Sequence, residues 1–243
     1  MLTYLQFHAV FLLPALGLVA LGAHRARAVS VRLRGVDARG LGIVILTTAA
    51  FAYTAPWDNY LIARGVWGYG EGAVAAQVGE IPLGEYLFFV IQTVLVALFL
   101  YALPVPVSEL TRTTAATGGG ILAGGIVTIG GWWLATDEPT FYLGMILVWA
   151  GPVLALQWGF GWRYLLTHWR TVLPGVGVPT LYLWVIDAYA IQTGIWYLST
   201  RYTTGLVVPG LGLPIEEAVF FLVTTLFVVQ GLVLWEWVIR VWR

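Results

Sequence analysis

The chain has 243 residues and no net charge, and is 60% hydrophobic, 15% aromatic and only 10% charged, a balance that no soluble domain of this length could cover with a polar surface. It reads as an integral membrane protein. Zero net charge leaves no electrostatic footprint for nucleic acid, the lack of cysteine removes disulfides, thiolate metal sites and cysteine nucleophiles, and His8, His24 and His168 are scattered without ligand spacing, so no metal is expected.

Apolar stretches of roughly 20 residues suffice to cross a hydrocarbon core of about 30 Å. Seven are read in chain order, at 3–23, 41–63, 82–103, 118–136, 140–160, 172–193 and 214–238. The first has arginines after it and no basic residue before it, the reverse of a secretory signal, and is read as a retained span. The second and sixth are interrupted by Pro56 and by Pro174 and Pro179, which buried helices tolerate when neighbours satisfy the freed carbonyls. The fourth contains GGGILAGGIVTIGG, small residues suited to close packing.

Every basic residue is an arginine. Arg25, Arg27, Arg32, Arg34 and Arg39 fall in the first loop, Arg112 in the third, Arg163 and Arg170 in the fifth, and Arg240 and Arg243 at the C-terminus; only Arg64 and Arg201 fall on the other side. The positive-inside rule then puts the N-terminus outside and the C-terminus in the cytoplasm of a multi-pass cell-membrane protein. Holding anionic headgroups is a second use for the first loop.

Two segments repeat. GEIPLGEYLFFVIQT at 79–93 matches LGLPIEEAVFFLVTT at 211–225, with Pro82, Glu85, Phe88, Phe89 and Thr93 against Pro214, Glu217, Phe220, Phe221 and Thr225 at an offset of 132. DNYLIARGVW at 58–67 matches DAYAIQTGIW at 187–196 through Asp58/Asp187, Tyr60/Tyr189, Ile62/Ile191, Gly65/Gly194 and Trp67/Trp196, at an offset of 129. Each unit holds three spans, and the fourth is an extra crossing that lets both share one orientation. The expected architecture is all-α: seven transmembrane helices arranged as two parallel three-helix repeats, 1–103 and 140–243. A linker helix within 104–139 joins them, and the working site lies at their interface.

In that topology Glu85, Glu216 and Glu217 begin inward-running helices, while Asp58 and Asp187 end outward-running ones, so five carboxyls gather near the outer face. Each buried acid costs up to about 2.5 to 3.5 kcal/mol at a helix centre and less toward the interface. A first-turn carboxyl also complements the helix dipole, and an aspartate can bond a neighbouring helix; for Asp58 and Asp187 this structural reading stands beside the chemical one. Glu85 and Glu217 each share a stripe with phenylalanines at i+3 and i+4, Phe88, Phe89 and Phe220, Phe221. Tyr60, Tyr189, Trp67 and Trp196 complete the candidate substrate-facing set, although tryptophans there also serve as belt residues. Where desolvation outweighs the dipole, a buried carboxyl is held neutral and can act as an acid. Aromatic faces stabilise a carbocation, and lipid excludes the water that would quench one. Such a combination suits the cyclisation of an isoprenoid.

The paired PxxExxFF segments, each after a DxYxIxxG[VI]W segment, resemble the lycopene cyclase domain of heterodimeric and fused lycopene β-cyclases from bacteria and archaea, and of bifunctional fungal carotenoid enzymes. The resemblance covers both repeats. It implies conversion of lycopene into β-carotene by way of γ-carotene, with both linear ends closed into β-ionone rings by a redox-neutral isomerase. The family's PxE(E/D) signature falls on Pro214, Glu216 and Glu217, and in the first repeat on Pro82, Gly84 and Glu85, where Gly84 departs from the acid. Glu217 is the expected proton donor, with Glu216, Glu85 or an aspartate receiving the proton. No GxGxxG follows a strand, so no Rossmann-bound FAD or NAD is expected. Expected partners are lycopene and γ-carotene as substrates, membrane lipid, and either a further copy of the chain or other carotenoid enzymes.

Three rivals share parts of this pattern. A retinal photoreceptor needs a Schiff-base lysine, which the chain lacks. A small parallel-repeat transporter would use intramembrane acids as an ion path, but no polar relay continues across the membrane. A carotenoid-binding protein would hold the pigment without closing a ring.

Overall fold

Apolar chain in lipid must close its backbone hydrogen bonds within each segment, and it does so here over nearly the whole of every expected span. The computed structural model describes residues 2–26, 32–33, 36–104 and 114–241. Its helices are α1 Tyr4–Arg25, α2 Ala38–Ala63, α3 Leu83–Ala102, α4 Thr114–Leu134, α5 Phe141–Thr167, α6 Trp169–Gln192 and α7 Ile215–Val241. Among the described residues six stretches are long and apolar enough to cross a membrane, in α1, α2, α3, α5, α6 and α7; α4 is not one of them. Among the described residues there are also a 3-10 turn at Glu138–Thr140 and three two-stranded ribbons: β1 Arg32–Leu33 with β2 Val36–Asp37, β4 Gln77–Val78 with β5 Ile81–Pro82, and β3 Trp67–Tyr69 with β6 Trp196–Leu198.

Local chemistry sets the ends. Thr3 and Gln6 form a reciprocal capping box at the start of α1, and the Asp37 carboxylate accepts from the Arg39 and Gly40 amides at the start of α2. The repeated DxYxIxxG[VI]W segment is a helix stop. Gly65 and Gly194 stand at φ 74° and 73°, and the amides of Val66 and Ile195 reach back to Leu61 and Ala190, the hydrogen-bond pattern of a glycine-terminated helix. The hydrophobic residue after the glycine is fully buried in both copies, and the chain then turns into β3 or β6. One expected boundary moves: the fifth span, read to end at 160, runs on to Thr167 past a kink at Gly161. Leu234 and Trp237 of α7 occupy the space that a Cβ there would need.

Segments that match in sequence face one another. β3 and β6 pair antiparallel with Trp67 opposite Leu198, Gly68 opposite Tyr197 and Tyr69 opposite Trp196. Gln92 of α3 donates to Thr224 of α7 at 2.7 Å, and these two positions are themselves 132 residues apart. The Tyr53 hydroxyl donates to the Trp149 carbonyl at 2.8 Å, and its counterpart Tyr182 donates to Phe11 at 2.6 Å. Helices α1 and α5 thereby align at an offset of 138, with Tyr4/Tyr142, Pro14/Pro152, Leu16/Leu154 and Leu18/Leu156 matching.

Helix α4 lies along α5 through glycines. A Cβ on Gly120 or Gly124 would run into the backbone of Trp158 or Ala155, and one on Gly131 would stand 2.6 Å from the Val148 nitrogen, so the two backbones approach as small residues permit. At the far end of the bundle from the repeated glutamates, the fully buried Glu236 joins Arg39 at 2.7 Å and Arg240 at 3.0 Å. Arg27, Arg34, Arg112 and Arg243 lie outside the described residues.

Candidate active site

The N-terminal turns of α1, α3, α5 and α7 and the C-terminal turns of α2 and α6 converge on the β3–β6 ribbon. Between them is a cavity of about 50 Å³ lined by Asp58, Glu85, Asp187 and Glu217, two carboxyls from each repeat. Asp58, Asp187 and Glu217 are buried, at 3%, 2% and 8% of full exposure, and Glu85 is partly buried. Phe88, Phe89, Phe220, Phe221, Trp67, Trp196, Tyr4, Tyr142 and Leu198 complete the wall.

Aromatic donors hold the carboxyls. Tyr142 donates to Glu217 Oε1 at 2.9 Å, Tyr69 to Glu85 Oε1 at 2.8 Å and Trp196 Nε1 to Asp187 Oδ1 at 2.9 Å, while Trp67 Nε1 donates to the Tyr69 hydroxyl at 3.3 Å. Tyr4 also stands beside Glu85. Burial, and then the nearby Glu85 carboxyl, push the Tyr69 phenol well above its ordinary range, so it keeps its proton and remains a donor. Among the described residues the far oxygens Asp58 Oδ2 and Asp187 Oδ2 are buried without a hydrogen-bond partner. Rings stack behind this shell: Trp57 lies parallel to Phe220, 5.9 Å between centroids and 6° between planes, and Phe88 meets Phe221 edge-on at 5.9 Å. Among the described residues no group of three acids and histidines is set to hold a metal ion.

Most of the residues singled out from sequence therefore meet in one place: Glu217, Glu85, Asp58, Asp187, the four phenylalanines, Trp67 and Trp196. Three do not line the cavity. Glu216, one residue and about 100° of helix away from Glu217, is fully buried and accepts from both the amide and the hydroxyl of Thr204 at 2.7 Å. Tyr60 and Tyr189 point outward, 47% and 40% exposed; Tyr60 accepts from Arg64 and Tyr189 packs on Phe11. Sequence reading missed the tyrosines. Tyr4 and Tyr142 carry a signal, being equivalent residues at the starts of α1 and α5, but it appears only once those helices are aligned at their own offset. Tyr69 has no repeat partner of its kind, since Leu198 stands in its place.

Outside the cavity wall, Phe89 and Phe220 also line a groove of about 460 Å³ between α2 and α5. A larger apolar space of about 670 Å³, between α4, α5, α6 and α7, shares no lining residue with the carboxyl cavity.

Comparison with characterised proteins gives close relatives. The chain is 50% identical over 242 residues, 99% of both chains, to the lycopene beta-cyclase of Halobacterium salinarum. It is 35% identical over 235 residues to the bifunctional lycopene cyclase/phytoene synthase of Phycomyces blakesleeanus, covering 91% of this chain and 37% of that one. With the corresponding Gibberella fujikuroi protein it shares 36% over 198 residues, 79% of this chain and 34% of that one. No family model matches the chain, and no solved structure matches it.

Proposed function

This chain belongs to the lycopene beta-cyclase family, and on that premise we propose that the carboxyl-lined cavity is where the linear ends of lycopene close into β-ionone rings. The observation that carries the assignment is the convergence of Asp58, Glu85, Asp187 and Glu217 on one aromatic-walled space. None of the relatives named above is a transporter, and the acids cluster at one end of the bundle instead of marking a path across it.

The reaction balances without a redox partner. A neutral carboxyl gives its proton to C2 of the terminal double bond; the C5–C6 pair then bonds C6 to the cation at C1, and loss of the C6 proton to a carboxylate quenches the cation now at C5. One proton enters and one leaves, which makes the enzyme an isomerase of the intramolecular-lyase kind. Glu217 is assigned as donor. Glu85, which faces the phenols of Tyr69 and Tyr4 where Glu217 has Tyr142 alone, is better supplied with donors for a negative charge and is assigned as acceptor. Asp58 and Asp187 share the cavity with this pair, and the rings of Phe220 and Phe221 in its wall offer their faces to the passing cation. Glu216 anchors the segment before α7 through Thr204.

The antiparallel ribbon and the bonds between equivalent helices support two parallel repeats, 1–103 and 140–243, about an axis along the membrane normal. In this reading α4 is a seventh span, linking them at about 30 Å of helix. Arg25, Arg39, Arg163, Arg170 and Arg240 at the end opposite the carboxyls favour a cytoplasmic C-terminus and an external N-terminus. Expression in cells that accumulate lycopene, followed by chromatography of the extracted pigment, tests the function: β-carotene should replace lycopene, and unchanged lycopene at normal protein levels would refute it.

A further inference from the structure

The carboxyl cavity, at about 50 Å³, is far smaller than a long rigid polyene, so most of that molecule must lie elsewhere. The groove between α2 and α5 begins where the cavity ends, at Phe89 and Phe220. Leu46, Leu156 and Gln157 carry it into a further space of about 310 Å³ that reaches Trp235 and Val238. From Phe220 to Val238 along α7 is about 27 Å at 1.5 Å per residue, nearly the full hydrocarbon thickness of about 30 Å. Its mouth lies between Ala49 and Leu156, both exposed on the outer surface of the bundle, so a pigment dissolved in lipid can slide in sideways.

The repeat supplies an internal comparison. Ala49, Ala50 and Thr54 of the groove correspond to Val178, Pro179 and Leu183 on the opposite face. Leu183 is fully buried in a cluster with Phe7, Leu12, Phe88 and Phe221, so larger side chains fill the face that smaller ones leave open. The symmetry of the two carboxyl pairs is thus not matched by a symmetry of access.

We propose that the polyene lies lengthwise in this one groove, with one end in the carboxyl cavity, and that each visit closes one ring only. This rests on the cyclase reading of the cavity. The second linear end then stands about 27 Å or more from the acids, at the opposite side of the membrane, and reaches them only after the singly cyclised pigment has left, turned end for end and returned. Each visit moves one proton onto C2 and one off C6, so the two visits are chemically identical.

Two measurements on the full-length protein in lipid vesicles test this. Isotopically labelled lycopene is supplied with a tenfold excess of unlabelled γ-carotene. Labelled γ-carotene should appear first, and label in β-carotene should be diluted about tenfold; undiluted label in β-carotene would show both rings closing in one visit and overturn the proposal. Separately, Ala49→Trp and Leu156→Trp obstruct the groove from opposite walls, while Val178→Trp adds the same bulk at the position equivalent to Ala49, itself half exposed. Either groove variant that is recovered folded should lose at least tenfold in conversion, with Val178→Trp within about twofold of the parent. Equal activity in the folded groove variants and in Val178→Trp would place the substrate elsewhere. A parent protein that closes no ring at all would be a different result, removing the cyclase reading along with this one.

Discussion

Replacing Glu217 by glutamine removes an acidic proton and almost nothing else. The amide keeps the shape of the carboxyl and retains an oxygen for the Tyr142 hydroxyl, now 2.9 Å away, and the side chain sits in a wall that is otherwise unchanged. A positioned general acid contributes about 10²- to 10⁴-fold, or roughly 3 to 5 kcal/mol at about 1.4 kcal/mol per factor of ten. Tyr142→Phe is the matching control, because it leaves the proton and removes only the group that aims it. The hydrogen bond lost to a buried carboxyl is worth about 1 to 3 kcal/mol, so if all of it falls on the transition state the rate drops about 5- to 150-fold. Glu216→Gln, outside the cavity and bonded to Thr204, should reduce thermal stability more than rate. Initial rates of ring formation, read by chromatography at matched amounts of folded protein, should therefore fall in the order Glu217→Gln, Tyr142→Phe, Glu216→Gln. A Glu217→Gln rate within threefold of the parent, or one above that of Glu216→Gln, would refute the assignment of the donor.

Gly65→Ala should cost about 1 to 2 kcal/mol of stability in detergent, since the position holds φ at 74° with nothing within 4 Å of a new Cβ, and the penalty is conformational alone; an unchanged unfolding midpoint would contradict the helix-stop geometry. Gly84→Ala should push the Tyr4 ring away from α3 and cost about 1 to 3 kcal/mol as overpacking, with a several-fold loss of rate as Tyr4 leaves Glu85; rate and unfolding midpoint are read together. Glu236→Ala leaves the Arg39 and Arg240 guanidinium groups without their shared partner and should destabilise by about 3 to 5 kcal/mol, seen as a large drop in the unfolding midpoint. Co-expressing the chain as two pieces cut between residues 105 and 113 should still yield β-carotene, because the repeats contact through β3–β6 and through α3 and α7; two well-expressed pieces that close no ring would refute the repeat boundary.

Much of this was readable from sequence because membrane helices announce themselves locally. Runs of about twenty apolar residues and the Pro-x-x-Glu openings at Pro82 and Pro214 are each contained within one segment. What stayed illegible depends on segments meeting across the fold. The β3–β6 ribbon is three residues long on each side and has no strand signature, since its stability comes from a partner 129 residues away. The tyrosine donors went unseen for a similar reason: Tyr4 and Tyr142 align only at an offset of 138, different from that of the glutamates, because loop lengths differ between the repeats. The repeat put Glu217 on the stripe with Phe220 and Phe221, but nothing local to α7 showed what would hold Glu216 on its other side. Thr204 does so, and it lies in the irregular segment before α7.

A duplicated unit produces pairs of like groups, whereas proton transfer through a substrate needs a pair of unlike ones. Two equal carboxyls would compete for the same role; what makes acid and base of them is a difference in surroundings. That difference is visible here residue by residue. Where the second repeat carries Glu216, the first has Gly84, and the missing side chain lets the Tyr4 ring settle against α3 beside Glu85. Where the first repeat carries Tyr69 on its strand, the second has Leu198, which leaves Glu217 with Tyr142 alone. Trp196 bonds directly to Asp187, while Trp67 turns to Tyr69 instead. The first two departures add donors around Glu85 or withhold them from Glu217, and the third gives Asp187 a donor that Asp58 lacks, so the surroundings of the four carboxyls differ while their positions correspond.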